Sequence, residues 1–285
     1  MIEFCLKNID TKFPCYKQFI NLIDFLKQYS YETIRINLSD WFGANMSAVL
    51  GGVLDKYATT NQIEIVSQNS NVISILQRNG FLSNYGYRNA RDINNTTVKY
   101  MKIKSTENRF FSMYVLDELL SKSAFPHMTT SLKQKITESI YEIFVNAKMH
   151  SNSDYIYTCG QFYPTKHVIE FTIVDMGQGI RNTVVNRFNK NLTATQAIQW
   201  AIGEGNTTKI GVPGGHGLSI LKDFIKLNKG RMQIISDSGF YEFGENEQIM
   251  SFTNPFKGTI VNMKFRTNDT NSYSLDNEID INEIF

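Results

Sequence analysis

The chain has 285 residues, a formal net charge of +2, and 42% hydrophobic residues. This length is enough for one large or two modest domains. The balanced charge, without a dominant Lys/Arg cluster, argues against a nucleic-acid-binding surface. The three cysteines show neither metal-ligand spacing nor an even-numbered disulfide framework.

The chain start lacks the basic and apolar regions of a signal peptide. No segment approaches the roughly 18 uninterrupted apolar residues of a membrane span. We therefore expect a cytoplasmic protein that contacts neither membranes nor nucleic acids.

Residues 1–90 have the pattern of a small α/β domain. Strand-like alternation at residues 1–7, 33–38 and 63–67 alternates with helical patterns around residues 19–26, 46–54 and 72–77. Gly80 is placed to stop the last of these helices. A polar stretch over residues 85–97 then predicts a linker to a second domain.

The second domain, residues 91–266, is also predicted to mix helices and strands. Residues 97–104 resemble a strand, residues 107–120 a helix, and a longer helix begins near Thr130. Residues 155–162 and 167–175 predict a hairpin, and residues 231–236 and 259–266 two later strands. Residues 267–285 are polar and are expected to form a flexible tail.

The long helix carries Glu142 and Asn146 one turn apart. Polar side chains at this spacing are, taken alone, typical of a solvated helix. A neutral amide oxygen is nevertheless a suitable Mg²⁺ ligand. The carboxylate of Glu142 could orient or deprotonate a water molecule.

A second motif begins at Asp175, where a hydrophobic strand ends. This carboxylate could accept a hydrogen bond from an exocyclic amine such as that of adenine. Gly177 and Gly179 would allow a flat base to approach the backbone and can adopt positive φ. An ordinary glycine-rich turn remains the alternative.

A third motif lies at the start of an amphipathic helix. Glycines there leave backbone N–H groups free to bind phosphate, although a helix-start loop without a ligand is the alternative. The residues of this motif are Gly214, Gly215, His216, Gly217 and Leu218. His216 could contact phosphate or merely pack.

Two further features accompany these motifs. The polar, glycine-rich segment 204–213 suggests a mobile lid, in which Lys209 could reach a phosphate. Thr259 follows Gly258 at the start of the last apolar strand and could join Asp175 at the base. Together in this order, the motifs are far less expected by chance than any one of them.

In these motifs, residues 130–266 resemble the GHKL superfamily of gyrase, heat-shock chaperone, histidine kinase and mismatch-repair ATPases. The helix of Glu142 and Asn146 is similar to its N box, and Asp175–Gly179 and Gly215–Leu218 are similar to its two glycine boxes. The resemblance implies a Bergerat fold, an α/β sandwich with a mixed, largely antiparallel sheet. It also implies ATP and Mg²⁺ as cofactors, with Asn146 on the metal, Asp175 on adenine and Glu142 as general base.

The first domain more faintly resembles a STAS domain, the fold of anti-sigma-factor antagonists. Where that family has its phosphorylatable serine pair, this chain has Asn45 and Met46, with Ser47 just beyond. Phosphorylation in the STAS manner is therefore not expected. The domain is instead expected to offer a surface for a protein partner.

The function that these resemblances imply is a slow Mg²⁺-dependent ATPase acting as a nucleotide-driven switch on a protein partner. A Ser/Thr protein kinase of the anti-sigma type and a non-catalytic nucleotide-binding adaptor are the alternatives. The sequence leaves open whether the chain forms a homodimer.

Overall fold

The computed structural model describes most of the chain: residues 2–150, 153–188, 191–203, 216–275 and 278. The expected glycines Gly214 and Gly215 and the expected lid with Lys209 lie outside these residues. No helix in the described ranges has the length and apolar run that crossing a bilayer requires.

The N-terminal unit has the predicted alternation of strands and helices. Its elements are β1 (Ile2–Ile9), α1 (Phe13–Leu26), β2 (Thr33–Phe42), a 3₁₀ turn (Ala44–Met46), α2 (Ser47–Tyr57), β3 (Gln62–Val66), α3 (Ser70–Arg78) and a second 3₁₀ turn (Phe81–Tyr85). The strands form one parallel sheet in the order β1-β2-β3. Gly80 has a φ of 82° and follows α3 closely, as the sequence predicts for a helix stop.

The C-terminal unit is built on a five-stranded sheet. Its elements are β4 (Thr97–Lys104), α4 (Asn108–Tyr114) with a π-helical continuation (Val115–Leu120), β5 (His127–Met128), α5 (Thr130–His150), β6 (Tyr155–Tyr163), β7 (Val168–Asp175), α6 (Gly179–Phe188), α7 (Ala194–Ala201), α8 (His216–Leu227), β8 (Arg231–Gly244), β9 (Gln248–Arg266) and β10 (Ser272–Tyr273). A 3₁₀ turn, Pro164–Lys166, closes the predicted hairpin. The sheet order is β4-β6-β7-β9-β8.

The predicted α/β class is therefore confirmed, with a refinement of the sheet. Every strand pair of the five-stranded sheet is antiparallel, where a mixed sheet was expected. The parallel pairs within the described residues are those of the N-terminal sheet and the short pair of β5 with β10.

Three parts of the C-terminal unit differ from the sequence-based expectation. Strands β8 and β9 continue beyond the predicted residues and form a long hairpin arm. Helices α6 and α7 lie between the second and third motifs, in a region for which the sequence patterns predicted no helix. In the expected flexible tail, Tyr273 is buried and its ring contacts Phe224 at 5.1 Å, so this part of the tail is docked on the unit.

The two faces of the five-stranded sheet have different covers, because side chains alternate along each strand. On β7, Ile173 points to the front face, which we define as the side of α5 and α8. Its neighbour Val174 points to the back face, the side of the N-terminal unit. The sheet is thus a middle layer that is buried on both sides.

The back face and the N-terminal unit share one hydrophobic core. Helix α1 contributes Phe13, whose ring stacks on Phe252 of the β9 arm at a centroid distance of 4.3 Å. Tyr157 and Ile260 of the sheet belong to the same cluster as the buried side chains of α2. Residues 1–90 therefore do not form a separate core, as independent domains usually do.

A chain of buried amides and hydroxyls crosses this interface. Asn45 donates to Thr172 at 3.1 Å and to Asn262 at 3.2 Å, and accepts from Tyr163 at 3.1 Å. Thr172 in turn donates to Asn262 at 2.7 Å. Because buried polar groups need partners, this network fixes the N-terminal unit in one position on the sheet.

Ser47 lies in this interface and is fully buried. Asn79 donates to its hydroxyl at 3.2 Å and to the sulfur of Cys159 at 3.3 Å. Burial also raises the pKa of Cys159 to about 12, so its thiol stays protonated. A phosphate group on Ser47 could not be accommodated here, which agrees with the departure from the STAS pattern.

We expect Asn45→Ala to destabilise the protein by about 2–4 kcal/mol, because it leaves buried groups of the sheet without partners. Urea unfolding followed by circular dichroism measures the effect. Asn84→Ala is the control, since Asn84 is exposed and donates to the nearby carbonyl of Phe81. Equal stability of the two variants would contradict the role given to Asn45.

Candidate functional site

Asp175 is the last residue of β7 and is almost completely buried. It pairs with Ile156 on one side and with Thr259 of β9 on the other. The N–H of Gly177 donates to Oδ1 of Asp175 at 2.9 Å. Asp175 therefore lies at the end of a strand, as the sequence predicts, and the N–H of Gly177 holds its carboxylate there.

The turn after Asp175 fits closely against the start of the last strand segment. Gly258 has a φ of 120°, and a Cβ there would lie 2.0 Å from the carbonyl oxygen of Asp175. Gly179 has a φ of 79°, and a Cβ there would lie 2.9 Å from Oγ of Ser236. Both positions require glycine for conformation and for space.

Ser236 bonds both the start of α6, which follows the turn after Asp175, and the start of the last segment of β9. Its hydroxyl donates to the carbonyl of Gly258 at 3.0 Å, lies 3.1 Å from the hydroxyl of Thr259, and accepts from the N–H of Ile180 at 2.9 Å. The sequence analysis missed this residue. Its place at the end of a predicted strand, level with Thr259, is visible only once the strands are paired.

Helix α5 brings Glu142 and Asn146 to the front cavity, a cleft between α5, α6, α7, α8 and the front face of the sheet. Ile143 and Ala147, the residues that follow Glu142 and Asn146, line the same cavity. Glu138, one turn earlier, is bound to Lys135 at 2.8 Å and does not line it. The face of α5 that lines the front cavity therefore begins at Glu142 and includes apolar as well as polar residues.

The start of α8 forms another part of the cavity wall. The helix begins at His216 and Gly217, and Leu218 lines the cavity. The side chains of His150 and His216 lie outside the described part of the structure. The expected roles of His216, Gly214 and Gly215 therefore stay predictions.

The rest of the cavity is largely apolar. Its floor is made by alternate residues of three strands, and its outer wall by α6 and α7. These residues, which the sequence analysis did not single out, are Ile173, Ile180, Thr183, Val184, Trp200, Ala201, Ile202, Gly203, Met232, Ile234 and Val261. The result is a largely apolar cavity with a few polar groups in its lining, the usual form of a small-molecule site.

Six predicted site residues from four separate segments thus line one cavity: Glu142, Asn146, Asp175, Gly179, Leu218 and Thr259. Gly177 contributes through its N–H bond to Asp175 rather than as a lining residue. The convergence of these residues could not be read from any single motif.

The donor set fits a magnesium ion that arrives with its own oxygen ligands. The described residues hold no group of three His, Cys, Asp or Glu side chains that could form a complete metal cage. Asn146 and Glu142 instead offer one amide oxygen and one carboxylate at the cavity wall. Mg²⁺ commonly uses few protein ligands together with phosphate oxygens and water.

Comparison with known proteins gives no further assignment. No protein-family model matches the chain, and neither does any curated protein.

We expect Gly258→Ala to destabilise the protein by more than about 3 kcal/mol, because strain and a backbone clash combine. Gly80→Ala is the matched control, since Gly80 also has positive φ but has open space around it. That variant should lose only about 1–2 kcal/mol. The difference between the losses of unfolding free energy in the two variants reports the clash at Gly258. Similar losses in both variants would contradict a close approach there.

Proposed function

We propose that the front cavity binds Mg·ATP and that the chain is a slow ATPase of the GHKL type. The observation that carries this proposal is the convergence of Glu142, Asn146, Asp175 and Thr259 on one largely apolar cavity. A buried carboxylate in a largely apolar cavity suits an adenine ring and its exocyclic amine. We also expect this protein to act in the cytoplasm.

Each residue then has a defined task. Asp175 accepts the hydrogen bond of the base, and Ile173, Met232 and Val261 pack against its ring. Asn146 would hold the metal, whose charge would neutralise phosphate oxygens. Glu142, one turn away, accepts a proton from the attacking water.

The structure also suggests how the cavity communicates with the N-terminal unit. Met176, between Asp175 and Gly177, packs against the shared core on the back face. A Cβ on Gly52 of α2 would lie 3.2 Å from its Cγ and Sδ atoms. The base-binding turn therefore touches both the cavity and the N-terminal unit, which supports the switch hypothesis.

The surface that the N-terminal unit can offer to a protein partner is limited by its packing on the five-stranded sheet. The α1 and α2 side of the N-terminal unit packs on the five-stranded sheet. The opposite face of the β1-β2-β3 sheet carries half-buried polar side chains, including Arg35 bound to Glu64 at 3.1 Å. We propose this outer face as the partner surface.

Protein kinase activity is the second candidate, since Glu142 could equally deprotonate an acceptor hydroxyl. Ser47 is excluded as an acceptor within the folded chain, because it is buried on the other side of the sheet. A kinase would therefore need an acceptor on another protein. Product analysis distinguishes the two: free phosphate for hydrolysis, a phosphorylated partner for transfer.

Nucleotide binding can be followed through Trp200, which lines the front cavity. In a Trp41→Phe background it is the remaining tryptophan of the two in the chain. We expect Mg·ATP to change its emission with saturation. Asp175→Asn should weaken binding about 10-fold or more, because a charged hydrogen bond is lost.

Asp154→Asn is the control for this titration, since Asp154 is exposed and lies outside the cavity lining. Saturable binding of equal strength in both variants would remove Asp175 from the base site. No saturable change in the parent protein would overturn ATP binding at this cavity.

For hydrolysis, we expect Glu142→Gln to lower kcat about 100-fold or more while nucleotide affinity changes little, because only proton transfer is lost. Glu138→Gln on the same helix is the matched control and should hydrolyse ATP like the parent. Steady-state phosphate release measures both. Binding without turnover in the parent would select the adaptor alternative instead.

A further inference from the structure

A second pocket lies on the back face of the sheet, where the N-terminal unit meets the ends of β7, β8 and β9. We call it the back pocket. Five cationic side chains line it against two carboxylates. The cations are Lys12, Lys166, Arg231, Lys264 and Arg266, and the carboxylates are Asp10 and Glu170.

Three of these charges form a row across neighbouring strands. Glu170 of β7 pairs in register with Lys264 of β9, and Lys264 pairs with Arg231 of β8. Alternation places all three on the same face, behind the floor of the front cavity. The back pocket therefore belongs to the same three strands as that floor but opens on the other side.

The carboxylates of the back pocket are already engaged. Arg231 lies 3.8 Å from Glu170 and 3.5 Å from Glu242, and Lys12 lies 2.9 Å from Asp10. Thr11 also donates to Glu170 at 3.1 Å. Within the described residues, Lys166, Lys264 and Arg266 form no ion pair, and the buried Nε of Arg231 has no hydrogen-bond partner.

The environment of Lys264 disfavours the charged form of its side chain. Its half-buried position, and then the nearby Arg231, lower the pKa of Lys264. Burial also raises the pKa of Glu170, while the nearby Arg231 acts in the opposite direction. Cations that are desolvated together in a pocket favour an anion that can neutralise them.

An aromatic wall flanks the charges. Lys166 lies over the ring of Trp41 at 5.1 Å and over that of Tyr163 at 5.2 Å. Trp41 is 42% exposed and lines the back pocket, so its fluorescence can report on the occupant. The hydroxyl of Tyr163 is engaged with Asn45, which ties this wall to the buried network.

We propose that the back pocket binds a phosphate dianion, either as inorganic phosphate or as the phosphate group of a small monoester. Two guanidinium groups and three ammonium groups around one cavity match the several acceptor oxygens of such a group. The site is separate from the front cavity, and it does not depend on nucleotide binding there.

The test uses the full chain with Trp200→Phe, so that Trp41 alone reports binding. Inorganic phosphate and glycerol 3-phosphate are titrated separately without divalent metal, against sodium chloride at equal ionic strength. We expect saturable changes in emission, and the tighter of the two probes identifies the form of phosphate that the back pocket prefers. Lys264→Met should weaken the binding at least about tenfold, because a charge-assisted contact is lost.

Lys257→Met is the matched control, since Lys257 is an exposed lysine on the same strand, β9. It should bind phosphate within about twofold of the parent, as should Asp175→Asn in the front cavity. The melting temperature of Lys264→Met without phosphate should not fall, because a desolvated cation beside Arg231 is removed. If this variant does not fold, Lys166→Met on the exposed hairpin turn takes its place.

Three results would overturn the proposal. The first is the absence of saturable binding by either probe. The second is an equal loss in Lys257→Met or a loss in Asp175→Asn, which would assign the effect to general charge or to the front cavity. The third is unchanged phosphate affinity with a lower melting temperature in Lys264→Met, which would give Lys264 a purely structural role.

Discussion

The close approach of β9 to the end of β7 is the constraint on which the front cavity depends. Gly258 leaves no room for a side chain beside the carbonyl of Asp175. Because the strands meet there, Thr259 lies opposite Asp175, and Ser236 can bond both Gly258 and the start of α6. One glycine thus sets the positions of a carboxylate, a hydroxyl and a helix start.

Because side chains alternate along each strand, β7 and β9 line the front cavity with one face and contact the N-terminal unit with the other. Ile173 and Val261 form the floor in front, while Thr172 and Asn262 bind the N-terminal unit behind. The N-terminal unit covers the back face of the sheet and shares its hydrophobic core, which an appended domain does not do. Changes at the turn that follows Asp175 can therefore reach the N-terminal unit directly through Met176, without a long path between domains.

Local patterns in the sequence predict most helices and strands, because period and turn residues act over short distances. Six of the motif residues line the front cavity, and their roles there stay predictions. The β8–β9 arm was missed although aromatic alternation around Phe240 indicates it, and α7 was missed despite the capping box of Thr193 and Gln196. Docking of the N-terminal unit could not be predicted, since Asn45 and Asn262 resemble surface residues until their partners are known.

The central claim is that the front cavity is an ATP site formed by four separate segments. A crystal structure with Mg²⁺ and a non-hydrolysable ATP analogue tests it most directly. The account predicts the adenine amine at the carboxylate of Asp175, the ring over Ile173 and Val261, and the metal at the amide oxygen of Asn146. A nucleotide bound elsewhere, or an empty front cavity at saturating analogue, would contradict it.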